Sequence, residues 1–146
     1  MAERPRPRVF LDTNVIFSGL YSDSGPPAKI LRLHASGRIR IVISRQVLAE
    51  LVRTLRRKLP AALPALRTFL LNAPPEVVPD PPQDPVAALQ RSVNPMDAPI
   101  IAAALSSGAE FLVSGDLRFL REVRGLNPQT RPVSPLELLN ELGLDA

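Results

Sequence analysis

Three observations predict an α/β domain, a three-layer α/β/α sandwich around a mostly parallel central sheet of about four to five strands. Short apolar runs alternate with longer stretches of helical periodicity, the pattern of successive βα units. The short runs are apolar at every position rather than at every second one, so both of their faces must be covered. The three apolar runs Val9 to Leu11, Ile39 to Ile43 and Phe111 to Val113 are each bounded by charge, glycine or a turn signal. The 146 residues suit a single domain over 1–146 with one core, and neither a repeat nor an internal boundary interrupts them.

The elements follow in order. Val9 to Leu11 reads as the first strand and runs directly into Asp12. A helix from Pro26 to Ser36 opens on proline, where no amide partner is needed, and ends before Gly37. Ile39 to Ile43 forms the second strand. The helix Arg45 to Lys58 carries the stripe Val47, Leu48, Leu51 and Leu55 and stops at Pro60. Leu63 to Asn72 is helical, and its Leu63, Leu66, Leu70 and Leu71 suit core packing better than a dimer face. Val77 to Val78 is a weak strand. Residues 79–94, with four prolines, form a surface loop or a short helix around Val86 to Gln90. Met96 to Ser107 is a helix stopped by Gly108, Phe111 to Val113 and Arg131 to Val133 are strands, and Leu136 to Leu142 is a last helix before Gly143.

Composition excludes several chemistries. With no cysteine there is neither a disulfide nor a thiolate site, and the single histidine, His34, cannot build a multi-histidine zinc centre. Any metal must therefore bind through oxygen. His34 itself reads as incidental to chemistry. No apolar run reaches the roughly 18 residues that would span a bilayer, and the opening MAERPRPRV has no apolar stretch behind its charges, so the expected compartment is the cytoplasm. Charge is uneven: residues 1–67 carry a formal +9 and residues 68–146 a formal −5. Sixteen of the 18 basic residues are arginine, which suits bidentate phosphate contact and equally suits surface ion pairs.

Four acids stand out by position. Asp12 follows the first strand and Asp116 follows Phe111 to Ser114, so both lie at carboxyl ends of strands, the edge where open parallel sheets bind ligands. Glu50 lies less than two turns into the helix after the second strand, which keeps it near that edge. Asp97 opens the helix after Asn94 and Pro95, and pattern alone places it least well. Taken singly, Asp12, Asp97 and Asp116 read as helix N-caps and Glu50 as a solvated helix flank. Together they read differently, because carboxylates at one sheet edge repel one another unless a cation or a proton intervenes. An all-oxygen set selects Mg²⁺ or Mn²⁺.

The motifs carrying these acids resemble the PIN-domain ribonucleases, in particular the VapC-like branch described as toxins of toxin and antitoxin pairs. The resemblance rests on Phe10 Leu11 Asp12 Thr13 Asn14 Val15, on the stretch SRQVLAELVRTL with Ser44, Leu48 and Glu50, and on PMDAPIIAAALSSGAEFLVSGDLRFL with Asp97, Ser114 and Asp116. Four pieces in order cover nearly the whole chain. The resemblance implies that Asp12, Glu50, Asp97 and Asp116 bind the metal and carry catalysis, with Asn14 and Ser114 in support. It also implies a small antitoxin that covers the acids, and a homodimer built from helices. The chain departs from the family pattern around Asp97, where Asn94, Met96 and Ala98 stand in place of further acids.

The expected activity is metal-assisted hydrolysis of phosphodiester bonds in single-stranded RNA, with Mg²⁺ or Mn²⁺ lowering the pKa of a water and a carboxylate taking its proton. Arg45, Arg53, Arg56, Arg57 and Lys58 on one helix, and Arg118 after Asp116, are the candidates for phosphate contact. The six aromatic residues read mostly as core, and no platform for stacking bases is evident. Two rival enzymes lack residues they need. A haloacid-dehalogenase-like phosphatase requires an aspartate where Asn14 stands, and a response-regulator receiver requires a lysine after a late strand, where none occurs. The alternatives that remain are a catalytically silent PIN-like module that binds RNA or a partner, and an RNA-processing nuclease outside any toxin system.

Overall fold

The computed structural model describes residues 6–144, so the charged opening residues 1–5 and the last two lie outside the described residues. Five strands, β1 (Arg8–Leu11), β2 (Arg40–Ser44), β3 (Glu76–Val78), β4 (Phe111–Val113) and β5 (Arg131–Val133), form one sheet in the order β3-β2-β1-β4-β5, parallel throughout. The three central strands are apolar and almost wholly buried, as covering on both faces requires. Wholly apolar strands accordingly took the middle of the sheet, and the weak strand, β3, lies at its edge.

The helices are α1 (Thr13–Tyr21), α2 (Pro26–Ala35), α3 (Arg45–Lys58), α4 (Leu63–Asn72), α5 (Gln83–Leu89), α6 (Ala98–Ser107), α7 (Leu117–Val123) and α8 (Pro135–Glu141), with a 3₁₀ turn at Pro60–Ala62. Right-handed crossovers carry the chain from β1 through β2 to β3 in one direction and from β4 to β5 in the other. The direction of winding reverses between β1 and β4. That reversal opens a crevice at the carboxyl ends of these two strands, where Asp12 and Asp116 begin their helices.

The fold differs from the sequence expectation in three places. Helices α1 and α7 were implied only by the N-cap reading of Asp12 and Asp116, and local pattern gave them no bounds. The segment 13–21 holds Val15, Ile16, Phe17 and Gly19, poor helix formers, and is held by the Asp12 cap and by packing on α2 and α3. The 79–94 segment takes the helical alternative, but α5 starts at Gln83, ahead of the expected Val86, and Val86 is buried against the core. Helix α6 starts at Ala98 rather than Met96, because the Asn94 side chain accepts the Met96 amide at 3.0 Å and holds the preceding residues in a turn.

His34 has a structural role. The buried amide of Ile41 donates to its Nδ1 at 3.0 Å, so the ring proton sits on Nε2 and is donated to the Ala73 carbonyl at 2.9 Å. One ring therefore ties α2 to β2 and to the end of α4. On α4, Leu66 is buried, Leu63 and Leu70 pack partly against the core, and Leu71 is exposed. No described helix is long and apolar enough to cross a membrane. Replacing His34 with leucine keeps bulk but strands the Ile41 amide, so urea denaturation should show a loss of about 1–3 kcal/mol.

Candidate active site

The site is built outward from Asp12. Its position at the end of β1 is fixed by the ladder, with the Asp12 amide donating to the Val113 carbonyl at 3.0 Å. One carboxylate oxygen, Oδ1, accepts the Thr13 amide at 2.8 Å, at the start of α1. The other, Oδ2, accepts the Ser114 hydroxyl at 2.9 Å and the Asn14 side-chain amide at 3.2 Å. Ser114 is fully buried just beyond β4, and its Oγ in turn accepts the Asp116 amide at 3.1 Å. Asn14 closes the crevice from the other side, its Oδ1 accepting the Gly115 amide at 3.0 Å. Asn14 and Ser114, the two supporting candidates, thus clamp Asp12 to the loop that carries Asp116.

Asp116 caps α7 by accepting the Arg118 amide at 3.0 Å and the Phe119 amide at 3.4 Å. The cap reading of Asp12 and Asp116 is therefore true, and both carboxylates lie at the same sheet edge. Asp97 is different: it stands at the N-cap position of α6 but makes no capping bond, which leaves its carboxylate free to face its neighbours. The Arg118 guanidinium lies between the two acids, 3.2 Å from Asp97 Oδ2 and 3.6 Å from Asp116 Oδ2, and reaches Glu122 Oε1 at 3.1 Å. Glu122 Oε1 also accepts the Asn94 amide at 3.0 Å, which docks the loop before α6 onto α7. Asp97 Oδ2 and Glu122 Oε2 are buried without a hydrogen-bond partner.

Glu50 reaches the site from α3, where Ser44 caps the helix by accepting the Val47 amide at 3.2 Å. Its Oε2 accepts the Thr13 hydroxyl at 3.2 Å and its Oε1 the Gln46 amide group at 3.3 Å. All four predicted acids consequently belong to one polar network running from Glu50 through Thr13, Asp12, Ser114 and Asp116 to Arg118 and Asp97. Among the described residues, no three acidic or histidine side chains as placed are gathered closely enough to hold a metal ion. The donor set still fits a hard divalent cation, since every candidate ligand is a carboxylate.

Electrostatics agree. Burial raises the Asp12 carboxyl above its ordinary 3.8, and the charges of Glu50 and Asp116 push the same way against the Ser114 and Thr13 hydrogen bonds. Burial also raises Asp97, helped by the adjacent Glu122 carboxyl and opposed by Arg118.

A family model described as "PIN domain" matches residues 8–118, three-quarters of the chain and all four acids. The chain belongs to the PIN domain family. Solved structures with the same PIN fold include PAE2754 from Pyrobaculum aerophilum, 20% identical with a TM-score of 0.66 over 94% of this chain and 96% of that one. DNA-bound VapBC from Salmonella typhimurium is 21% identical, with a TM-score of 0.67 over 88% and 98%. FitAcB from Neisseria gonorrhoeae is 18% identical, with a TM-score of 0.59 over 87% and 97%. A comparison with curated proteins found no match. The sequence reading of this PIN domain missed Glu122 and Thr13. Glu122 was partly legible as the i+4 partner of Arg118, but its meeting with Asp97 is a tertiary contact.

Removing the Asp12 charge should stabilise the metal-free protein. Native Asp12 holds its proton more tightly than the unfolded chain, so the native state binds more protons between pH 3.8 and the raised value, and this group's contribution to stability falls as pH rises through that window. Asparagine keeps the cap. In EDTA at pH 7, Asp12→Asn should therefore unfold a few degrees higher than the parent, and calorimetry should find the gain vanishing below pH 3.8.

Proposed function

We propose that this chain is a Mg²⁺- or Mn²⁺-dependent endoribonuclease that hydrolyses phosphodiester bonds of RNA, and that it is the toxin of a toxin and antitoxin pair. The observation that carries the reading is the half-buried Asp12 carboxylate, clamped by Ser114 and Asn14 at the crevice between β1 and β4, with the charges of Glu50 and Asp116 acting on it. A fold that places carboxylates there and raises the proton affinity of Asp12 accepts a cost in stability, and a bound cation would repay it.

Asp12, Glu50, Asp97 and Asp116 would hold the metal, which when bound activates a water and stabilises charge on the phosphate. The residues of the chain divide the remaining work. Ser114 and Asn14 orient Asp12, the helix amides of Arg118 and Phe119 orient Asp116, and the Thr13 hydroxyl orients Glu50. The proton lost by the attacking water passes to a carboxylate, since His34 is committed to Ile41 and Ala73. Arg118, drawn to Asp97, Asp116 and Glu122, is placed to meet a phosphate oxygen when the acids have another cation. On α3, Arg53 and Arg57 lie on the flank next to Glu50 and Thr54, whereas Arg45 and Arg56 lie on the other side of the helix and are the weaker candidates.

The toxin role follows the family resemblance of the motifs. It is supported by the fold shared with DNA-bound VapBC structures, from Salmonella and, bound to a promoter fragment, from Rickettsia felis. A small antitoxin over the acidic crevice and a homodimer through helices complete this reading, in the cytoplasm.

The test is cleavage of a labelled single-stranded RNA by protein freed of any inhibitor, in Mn²⁺, Mg²⁺ or EDTA. Cutting should need the metal and fall more than about 100-fold in the Asp12→Asn, Asp116→Asn double variant, since loss of mere supporting residues around a metal costs 10–100-fold. Intact RNA in every metal, with binding retained, would make the chain a silent RNA-binding module. Ser114→Ala should lower the rate by about 10–100-fold while the protein stays folded, as circular dichroism would verify.

A further inference from the structure

A groove of about 330 Å³ leads away from Asp12 between α1 and α3. Asp12 and Thr13 form its acidic end, Phe17 and Ser18 line it from α1, and Thr54 and Lys58 line it from α3. On α3, Glu50, Thr54 and Lys58 recur every fourth residue and share a face, so the helix carries an acid at one end of the groove and a cation about 12 Å further along.

Helix α1 adds the second feature. Phe17 and Tyr21, one turn apart, stack with ring centroids 6.4 Å apart and planes 9° from parallel. Phe17 lines the groove, and Tyr21 continues the stack outward with 69% of its surface exposed. Phe10, Phe111 and Phe119 are by contrast buried in the core. The sequence made no stacking platform evident, and α1 brings two of the six aromatic side chains together.

We propose that this groove is a subsite for single-stranded RNA beside the bond to be cut, in which a base stacks on the Tyr21 and Phe17 rings and a neighbouring phosphate meets Lys58. The identity of the strand rests on the nuclease reading; the groove and the ring pair do not. A flat exposed ring accepts any base face, and a cation beside it accepts the backbone. Among the remaining lining residues Thr13, Asn14, Ser18 and Thr54 carry hydroxyl and amide groups, which match ribose and phosphate, between the apolar surface of Phe17 and the cation of Lys58. The groove also opens directly on Asp12, so a strand lying in it is delivered to the acids.

Tyr21 is the only tyrosine, and there is no tryptophan, so the intrinsic emission of the full chain reports on this ring alone. A short single-stranded RNA would be titrated into the uncleaving Asp12→Asn, Asp116→Asn protein, with a strand of equal charge carrying abasic sites as control. The RNA should quench Tyr21 and the abasic strand should not. With binding followed by the anisotropy of a labelled RNA, Tyr21→Ala should weaken it about tenfold, and Tyr21→Phe should restore it to within about twofold, since phenylalanine keeps the stacking face. Lys58→Gln should weaken all strands alike and lower the salt slope by about one. Unchanged emission at saturating RNA, equal quenching by the abasic strand, or an unaltered Kd for Tyr21→Ala would each overturn the subsite. Wild-type protein that cuts RNA while Tyr21 stays silent would sink the subsite and leave the nuclease standing. Quenching by a strand that is never cut in Mn²⁺ would do the reverse, and an emission change caused only by a second copy of the chain would assign the groove to an interface.

Discussion

Repulsion among carboxylates at the carboxyl edge of the sheet is the constraint around which the rest of the molecule is arranged. Parallel strands β1 and β4 deliver Asp12 and Asp116 to neighbouring positions, and α3 and α6 bring Glu50 and Asp97 toward them. Burial raises the Asp12 carboxyl, and the neighbouring charges of Glu50 and Asp116 add to it. Every polar group nearby answers that problem. The Ser114 hydroxyl, the Asn14 amide and the Thr13 amide donate to Asp12, the first turn of α7 donates to Asp116, and the Arg118 guanidinium lies between Asp97 and Asp116.

The opposite edge of the sheet is arranged for stability. There Arg8 makes a bidentate pair with Glu76, at 2.6 and 3.1 Å, and also reaches the Ser107 carbonyl, so the first strand, the edge strand and the end of α6 are tied together. Arg40 approaches the same carboxylate at 3.8 Å. A planar guanidinium suits this fork geometry, and part of the arginine excess of the chain is used here and at Arg118 and Arg131 rather than on nucleic acid. Between the two edges the central strands bury Val9, Phe10, Leu11, Ile41, Val42, Ile43, Leu112 and Val113 in a tightly packed core.

Helix α1 joins scaffold to site. Its inward face buries Val15 and Ile16, its first residues hold Asp12 and Glu50 through backbone and hydroxyl, and its outward face presents Phe17 and Tyr21. One short segment of indifferent helix propensity thus serves packing, positioning and the groove at once, which accounts for its composition of β-branched, aromatic and small residues.

Much of this was legible without coordinates. Wholly apolar runs bounded by glycine and proline are enough to specify buried parallel strands, and acids directly after such strands must fall at one edge, so Asp12 and Asp116 were placed by topology alone. Helix α3, with its stripe and its proline stop, was readable to its last residue. What the sequence did not determine were features whose energy comes from distant residues. Helices α1 and α7 form because caps and packing outweigh local propensity, His34 matters because the Ile41 amide and the Ala73 carbonyl meet it, and Glu122 matters because the loop before α6 folds onto it. Local pattern encodes which faces must be buried; only the tertiary structure decides which polar groups are thereby brought within hydrogen-bonding reach, because that depends on how separate elements are docked and not on the period of any one of them.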